Sequence, residues 1–558
     1  MGFSMSVNTD KILEEVKDTD AVYDRKRAVY WLAVIIAIFH IWANTLGTLS
    51  ELWQNSLHMG LLGALGFFTI PFIKNKSEGK ISKSISVFLG FLLFSTSLYL
   101  IFFEDALHVR NEVVILPDLI AAGIAVVLTI ELTRRTTGII IPLIALFFVG
   151  YVLLFGHLIP GQFNFRGMTL SRFLYRMFFT DEGLFGVTAT ISSTFVFMFI
   201  LFAAFLLKSG GGDFIINLAQ ILTKNITGGP AIVAVASSGL MGTISGSAIA
   251  NTVSTGSITI PMMKKAGFKP EFAAAVETAS STGGQIMPPI MGAGAFIMAE
   301  WTRVPYLTII AVAILPALMY YATVGFFVYQ TAKKMNIKST EVETNLTIKE
   351  VLREGTHFFI PIIVLIGLLI IGYSPTYSAG ISIISIVLAS YLSKHHKMGF
   401  WTVLDSLALG SKNMVMTGIL LVAVGVIIGS ISITGIAITF SQIIVHISGG
   451  NLILALAFIT LASLLLGMGL PVTAAYIMLA IIAVPALQEM GVAILSAHMI
   501  VFWVSQDSNV TPPVCLAAFA AAGIAGSKPM RTGLESWKLA KGLYIMPILF
   551  AYTDLIDG

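Results

Sequence analysis

Charge is what this sequence lacks most. Asp, Glu, Lys and Arg make up only 11% of its 558 residues, against roughly 25% in soluble domains, which is too little to keep a water-exposed surface of this size in solution. Cysteine is nearly absent as well. With Cys515 alone, no intramolecular disulfide can form, and nothing about the redox compartment can be read from the chain. No P-loop, no zinc-ligand spacing and no nucleophile with a paired base is found, so neither ATP-driven work nor enzyme chemistry is expected of this chain. There is no basic stripe with interleaved aromatics, which argues against a nucleic-acid partner. The first 28 residues are polar and lack the apolar core and small-residue cleavage site of a signal peptide. The first apolar run, from Ala28, therefore reads as a retained anchor.

What is present in their place is hydrophobicity. Apolar residues make up 56% of the chain and the mean hydropathy is +0.89. Runs of about 20 apolar residues recur, each long enough to cross a bilayer as a helix. An all-α polytopic membrane protein is expected. The early spans read as 28–46, 57–73, 85–103, 114–131 and 138–156. Basic loops (Arg25 to Arg27; Lys74, Lys76, Lys80 and Lys83; Arg134 and Arg135) alternate with acidic or mixed ones carrying Glu51, Glu104, Asp105 and Glu112. The positive-inside rule then makes the N-terminus cytoplasmic. Residues 1–28 form a cytoplasmic segment and residues 29–132 a four-helix bundle.

A first repeat unit is expected over 138–332. It contains an amphipathic stretch, Arg166 to Phe178, where Arg166, Arg172 and Arg176 interleave with Leu170, Phe173, Leu174 and Met177. That spacing suits a helix lying at the membrane interface. A charged cytoplasmic linker over 333–355 leads to a second unit, 356–558, with Lys394 to Lys397 at another cytoplasmic end. The last apolar run, Tyr544 to Tyr552, is too short to span comfortably. Either it tilts into protein or the natural chain continues past Gly558, leaving the second unit incomplete at its C-terminus.

The two units match. Shifting the chain by 224 residues lays Pro261 on Pro485, Ser281 on Ser505, Gln285 on Asn509, and Pro288-Pro289 on Pro512-Pro513. Such internal symmetry marks duplicated transporter folds. The segment Gly229–Pro261 has basic flanks, Lys224 before it and Lys264, Lys265 and Lys269 after it, whereas its counterpart near 451–486 has almost none. The two hairpins are therefore expected to enter from opposite faces, as an inverted repeat with two re-entrant helical hairpins requires.

Irregular backbone at membrane depth must face protein or a water-filled cavity. The paired prolines remove donors and disfavour helix before them, and Gly283-Gly284 is expected to loosen the first break further. Ser281, Thr282, Gly283, Gly284 and Gln285 are thus candidate binding residues in one unwound stretch. Ser505, Gln506, Asp507, Ser508 and Asn509 are candidates in the other. Hairpin tips at Ser245, Gly246, Ser247, Asn251 and Thr252, and at Gly469, Pro471 and Thr473, supply the opposite wall. Hydroxyl and carboxamide oxygens suit a hard monovalent cation such as sodium, while free N–H groups and hydroxyls suit a carboxylate. Asp507 and Glu277 lie in apolar surroundings, where acids are costly and usually functional. Asp507 either neutralises a coupling cation or carries a proton itself. Glu277 is a coupling carboxylate or the partner of a cytoplasmic-side lysine. His446 and His498 read as packed or interfacial.

Residues 239–300, GLMGTISGSAIANTVSTGSITIPMMKKAGFKPEFAAAVETASSTGGQIMPPIMGAGAFIMAE, and 509–526, NVTPPVCLAAFAAAGIAG, resemble the large membrane subunit of TRAP transporters. A four-helix bundle ahead of them looks like the small subunit fused on, as in the TAXI branch. The resemblance implies a bacterial inner-membrane permease, monomeric and without a cofactor. A periplasmic TAXI-type binding protein would deliver a small organic anion to it, and a sodium or proton gradient would drive import by an elevator motion. It also implies cation sites around Ser245, Ser247, Asn251 and Ser281–Gln285, and around Gly469, Thr473 and Ser505–Asn509. A stand-alone carrier working without a binding protein is the competing expectation. A channel or intramembrane enzyme finds no matching constellation.

Overall fold

The structure, a computed structural model, describes residues 25–72, 79–223, 226–337, 347–393, 396–467, 470–513 and 515–556. Gly469, residues 1–24, Lys74, Lys76, Lys224, the middle of the linker, Lys394, His395 and Gly558 lie outside the described residues. The described residues are helical with no strand. Eight of their helices are long and apolar enough to cross a membrane.

The first four helices are α1 (Ala28–Thr45), α2 (Glu51–Thr69), α3 (Lys80–Val109) and α4 (Leu116–Thr137). Helix α2 starts six residues before the expected position because the Ser50 side chain accepts from the amide of Trp53 and caps it. Helix α5 (Ile140–Gly150) runs on through a π-helical turn, Tyr151–Phe155. Helix α6 (Leu170–Phe178) is the amphipathic segment; it is shorter than expected because Gly167, at φ +86°, holds the preceding chain out of the helix. Its inner face buries Phe173, Leu174 and Met177, and Arg176 pairs with Glu182.

Next come α7 (Val187–Ile191), a π-helical turn at Ser192–Val196, α8 (Phe197–Lys208) and α9 (Gly211–Thr223). A helical hairpin follows, α10 (Gly229–Ser245) and α11 (Ala248–Lys265), turned at Gly246, which adopts φ +62°. The first broken helix is α12 (Pro270–Gly284) with α13 (Ala293–Thr302), and α14 (Tyr306–Lys334) closes the unit. In the linker, α15 (Ile348–Gly355) starts on a Thr347–Glu350 capping box.

The second half runs through α16 (Phe359–Ile371), α17 (Pro375–Ser390), the long α18 (Phe400–Thr434), α19 (Ile436–Ile447), and again a helical pair, α20 (Leu452–Leu466) and α21 (Val472–Glu489), ahead of a broken helix. The second broken helix is α22 (Ile494–Val504), a single turn α23 (Asp507–Val510) and α24 (Leu516–Ala525). Helices α25 (Pro529–Leu539) and α26 (Gly542–Tyr552) end the described chain. Helix α26 lies against α22 and α14, with Leu543, Met546 and Phe550 buried, so the short last run does pack into protein.

Helix α18 is the spine of the N-terminal side, packed by α1, α2, α4, α5 and α8. A buried polar seam fixes the first helices on the rest. His40 Nε2 meets His58 Nδ1 and His58 Nε2 meets Ser192 Oγ, both at 2.8 Å, and Ser411 donates to the Ala33 carbonyl at 2.7 Å. Each such bond satisfies polar groups that lipid or an apolar core would leave unpaired. On the other side, the first hairpin, both broken helices and α25 pack together, α12 lying against α10, α11, α24 and α25.

Candidate functional site

Both breaks lie at the paired prolines, and both Pro-Pro bonds are cis. The first helix runs further than expected, however. Ser281 to Gly284 are helical, and the irregular stretch begins at Gln285. A proline ring clashes with the carbonyl four residues before it, and four before Pro288 is Gly284. The glycines are there for contact. A Cβ on Gly284 would lie 2.3 Å from the Cα of Gly242, and one on Gly242 would lie 2.7 Å from the Cα of Gly284. The hairpin helix α10 and the broken helix α12 thus touch backbone to backbone. In the second unit Ser505 and Gln506 form a turn, Asp507 to Val510 one helical turn, and the chain opens at Thr511.

The first hairpin is stitched to its break. Thr243, which sequence reasoning missed, donates to the Met287 carbonyl at 2.5 Å and accepts from the amides of Ile290 and Met291 at 3.2 and 3.3 Å. Gln285 donates to the Gly246 carbonyl at 2.9 Å. From the other side, Tyr320 and Tyr321 of α14 donate to the carbonyls of Ala279 and Ser280 at 2.8 and 2.7 Å. Tyr306 reaches the Pro289 and Ile290 carbonyls at 2.9 and 2.6 Å. These hydroxyls take up carbonyls near the break. A cue existed in the sequence: of the four tyrosines on this apolar helix, Tyr306, Tyr320, Tyr321 and Tyr329, each one that is buried needs a partner.

Most predicted site residues converge here. Asn251 and Thr252 are fully buried. Asn251 donates to the Ser238 carbonyl at 2.8 Å and to Ser281 at 3.0 Å, while its Oδ1 has no partner; neither has the Thr252 hydroxyl. Ser245, Gly246 and Ser247 are half-buried at the tip, where Ser247 accepts from the Ala250 amide at 3.4 Å. Thr282 is spent on its own helix, bonding the Thr278 carbonyl at 2.8 Å. Among the described residues no lysine pairs with Glu277. The fully buried carboxylate accepts instead from Ser238, Thr255, Thr259 and Ser281.

In the second unit, Pro471 leads into α21 and Thr473 is half-buried in its first turn. Ser505 and Ser508 bond backbone carbonyls at 2.7 and 3.3 Å, and Gln506 Nε2 bonds the Phe502 carbonyl at 3.2 Å. Asp507 is fully buried with neither carboxylate oxygen at bonding geometry, and Gln506 Oε1 is unpartnered too. The Tyr544 hydroxyl approaches Asp507 and shares a hydrogen bond with the Thr511 hydroxyl at 2.5 Å, in which either oxygen can be the donor. The two halves meet where Asn509 donates to Gln285 at 3.4 Å. His498 is buried on Tyr476 at 2.8 Å, a packing role. Among the described residues no group of three or more His, Cys, Asp or Glu is placed to hold a metal ion. What the site offers is neutral oxygens beside one unpaired acid.

A family model described as "Tripartite ATP-independent periplasmic transporter, DctM component" matches residues 124–556. The chain is 25% identical over 341 residues to a Salmonella typhimurium protein, "Uncharacterized protein YgiK", covering 58% of this chain and 74% of that one. It is 25% identical over 334 residues to the "Isethionate TRAP transporter permease protein DctMQ" of Oleidesulfovibrio alaskensis, covering 59% of this chain and about half of that one (52%). To the "C4-dicarboxylate TRAP transporter large permease protein DctM" of Vibrio cholerae it is 26% identical over 255 residues, covering 43% of this chain and 55% of that one.

Proposed function

The chain belongs to the family of the DctM component of tripartite ATP-independent periplasmic transporters, and on that premise we propose that it imports a small organic anion, a carboxylate, by cation-coupled alternating access. The family makes it a multi-pass membrane permease of the bacterial inner membrane rather than an enzyme. The observation that carries the coupling is Asp507. A carboxylate buried among helices with no hydrogen-bond partner is costly unless something binds it. A sodium ion or a proton is the simplest occupant. Gln506 Oε1 beside it, and Asn251 Oδ1 with Thr252 Oγ1 in the first hairpin, are further oxygens free to face a cation.

Substrate binding is assigned to the seam between the two breaks, around Gln285 and Asn509, with the tips at Ser245–Ser247 and Pro471–Thr473 as its walls. The names of the relatives, isethionate and C4-dicarboxylate, support a small organic anion. A periplasmic binding protein, of the TAXI type by the bundle fused ahead, delivers it. The first hairpin and the broken helices then move together against the α18 side in an elevator motion, with the N-terminus in the cytoplasm and one copy sufficing. Uptake into proteoliposomes, with and without the binding protein and under imposed sodium or proton gradients, tests this reading. Full uptake without the binding protein would leave a stand-alone carrier; ion conductance without gradient-driven uptake would overturn it.

A further inference from the structure

Glu277 is a buried acid held, among the described residues, by hydroxyl groups rather than by a basic side chain. One carboxylate oxygen accepts from Ser238 of α10, from Thr255 of α11 at 2.5 Å and from Ser281 of α12 at 3.0 Å; the other accepts from Thr259 of α11 at 2.5 Å. Gly256 leaves room for this approach, since a Cβ there would stand 3.0 Å from Glu277 Cγ. Among the described residues the second half shows no such cluster around a carboxylate. At the positions 224 residues on, Glu277 is matched by Val501, Thr255 by Leu479, Thr259 by Ala483 and Asn251 by Ala475. The first hairpin is thus joined to its broken helix by a network that its counterpart lacks.

With Glu277 ionised, the directions of these bonds follow: a carboxylate only accepts, and a serine hydroxyl has one proton. The Ser281 proton therefore goes to Glu277, which leaves Ser281 an acceptor towards Asn251, 3.0 Å away. The Asn251 amino group must face Ser281 and the Ser238 carbonyl, at 2.8 Å. Its carbonyl oxygen is thereby turned the other way, where it has no partner. From this chain of directions we infer that Glu277 is a positioning residue: through Ser281 it fixes the Asn251 carboxamide so that Oδ1 is presented as a cation ligand.

The inference rests on the cation-coupled reading above and is tested beside it. Sodium-dependence curves of uptake are measured in proteoliposomes for wild type, Glu277→Gln, Ser281→Ala and the double variant. Glutamine keeps the shape but brings a donor, so the Ser281 proton can turn to Asn251 and release its carboxamide. Groups that orient metal ligands cost about 10- to 100-fold in metal affinity when removed. The half-saturating sodium concentration is expected to rise about tenfold or more in each single variant, with the substrate concentration for half-maximal uptake at saturating sodium within about twofold of wild type. The double variant is expected to match the weaker-binding single variant, because both changes cut the same chain of bonds. Sodium curves that stay in place while maximal uptake falls would make Glu277 merely structural, and a double variant showing the product of the two shifts would overturn action through Ser281. Should Glu277→Gln fail to fold, the unmoved or shifted curve of Ser281→Ala decides alone. Wild-type uptake indifferent to sodium but driven by a proton gradient would sink this inference and leave the reading above with a proton as its coupling ion; uptake indifferent to both gradients would sink both; sodium-dependent uptake with unmoved variants sinks only this one.

Discussion

Asn509 donates a hydrogen bond to Gln285 across 3.4 Å, and the two residues stand 224 positions apart in the chain, the same offset that superimposes the two halves of the sequence. The contact brings the two breaks together, so the site proposed at their junction is built from both halves of the chain. The bond is long and contributes modestly, about 0.5–1 kcal/mol as a neutral pair. Gln285 has a second duty, bonding the Gly246 carbonyl at the hairpin tip. Gln285→Ala is therefore expected to reduce uptake more than Asn509→Ala, and measured initial rates of both variants check the order.

Asp507→Asn separates the two coupling ions. The substitution removes a buried carboxylate that has no hydrogen-bond partner, so the resting protein is expected to gain stability, on the order of 1–3 kcal/mol. If Asp507 carries the proton, uptake that varies with pH in wild type becomes flat in the variant. If it neutralises sodium, the pH profile keeps its form and the sodium requirement rises. Thermal unfolding in detergent with uptake at several pH values reads both outcomes; a less stable variant with normal coupling would contradict them together.

The close approach of α10 to α12 predicts a strict size limit. Gly242→Ala and Gly284→Ala each place a methyl group 2.7 or 2.3 Å from a backbone carbon of the other helix. Overpacking of this kind costs about 1–3 kcal/mol, and here it also pushes the hairpin off the break. Both variants should lose stability and uptake. Gly325→Ala in α14 is the control: its Cβ meets nothing within 4 Å, and alanine favours helix over glycine by about 1 kcal/mol. Thermal melts of the three variants suffice to test this.

Paired prolines at matching distances make both breaks legible in the sequence alone, because proline acts on its own backbone. Gly283 and Gly284 mislead by the same local logic. Taken alone they suggest loosening; in the fold Gly283 lies against Tyr320 and Tyr321 and Gly284 against Gly242, partners that nothing local announces. The two acids show the limit most clearly. Glu277 follows an apolar run and Asp507 sits among polar residues, yet four hydroxyls from three helices bond Glu277 while only the Tyr544 hydroxyl comes near Asp507, without bonding geometry. Side chains brought in from elsewhere in the chain decide that difference, and helical periodicity can place a hydroxyl on a face without saying which helix the face will meet.

Thr243 is where this long-range wiring can be tested one atom at a time. Its hydroxyl donates to the Met287 carbonyl at 2.5 Å and receives the amides of Ile290 and Met291 at 3.2 and 3.3 Å. Three backbone groups at the break depend on one oxygen. Thr243→Val keeps the shape and removes that oxygen, leaving buried groups unpaired at about 1–3 kcal/mol each. Thr243→Ser keeps the hydroxyl and loses only a methyl group, a cost of about 1 kcal/mol. Valine is therefore expected to be the more damaging change although it is the closer match in volume, both in melting temperature and in uptake rate. If packing rather than hydrogen bonding held the tip on the break, serine would be the worse of the two, and the order of the two variants in a single melting experiment decides between them.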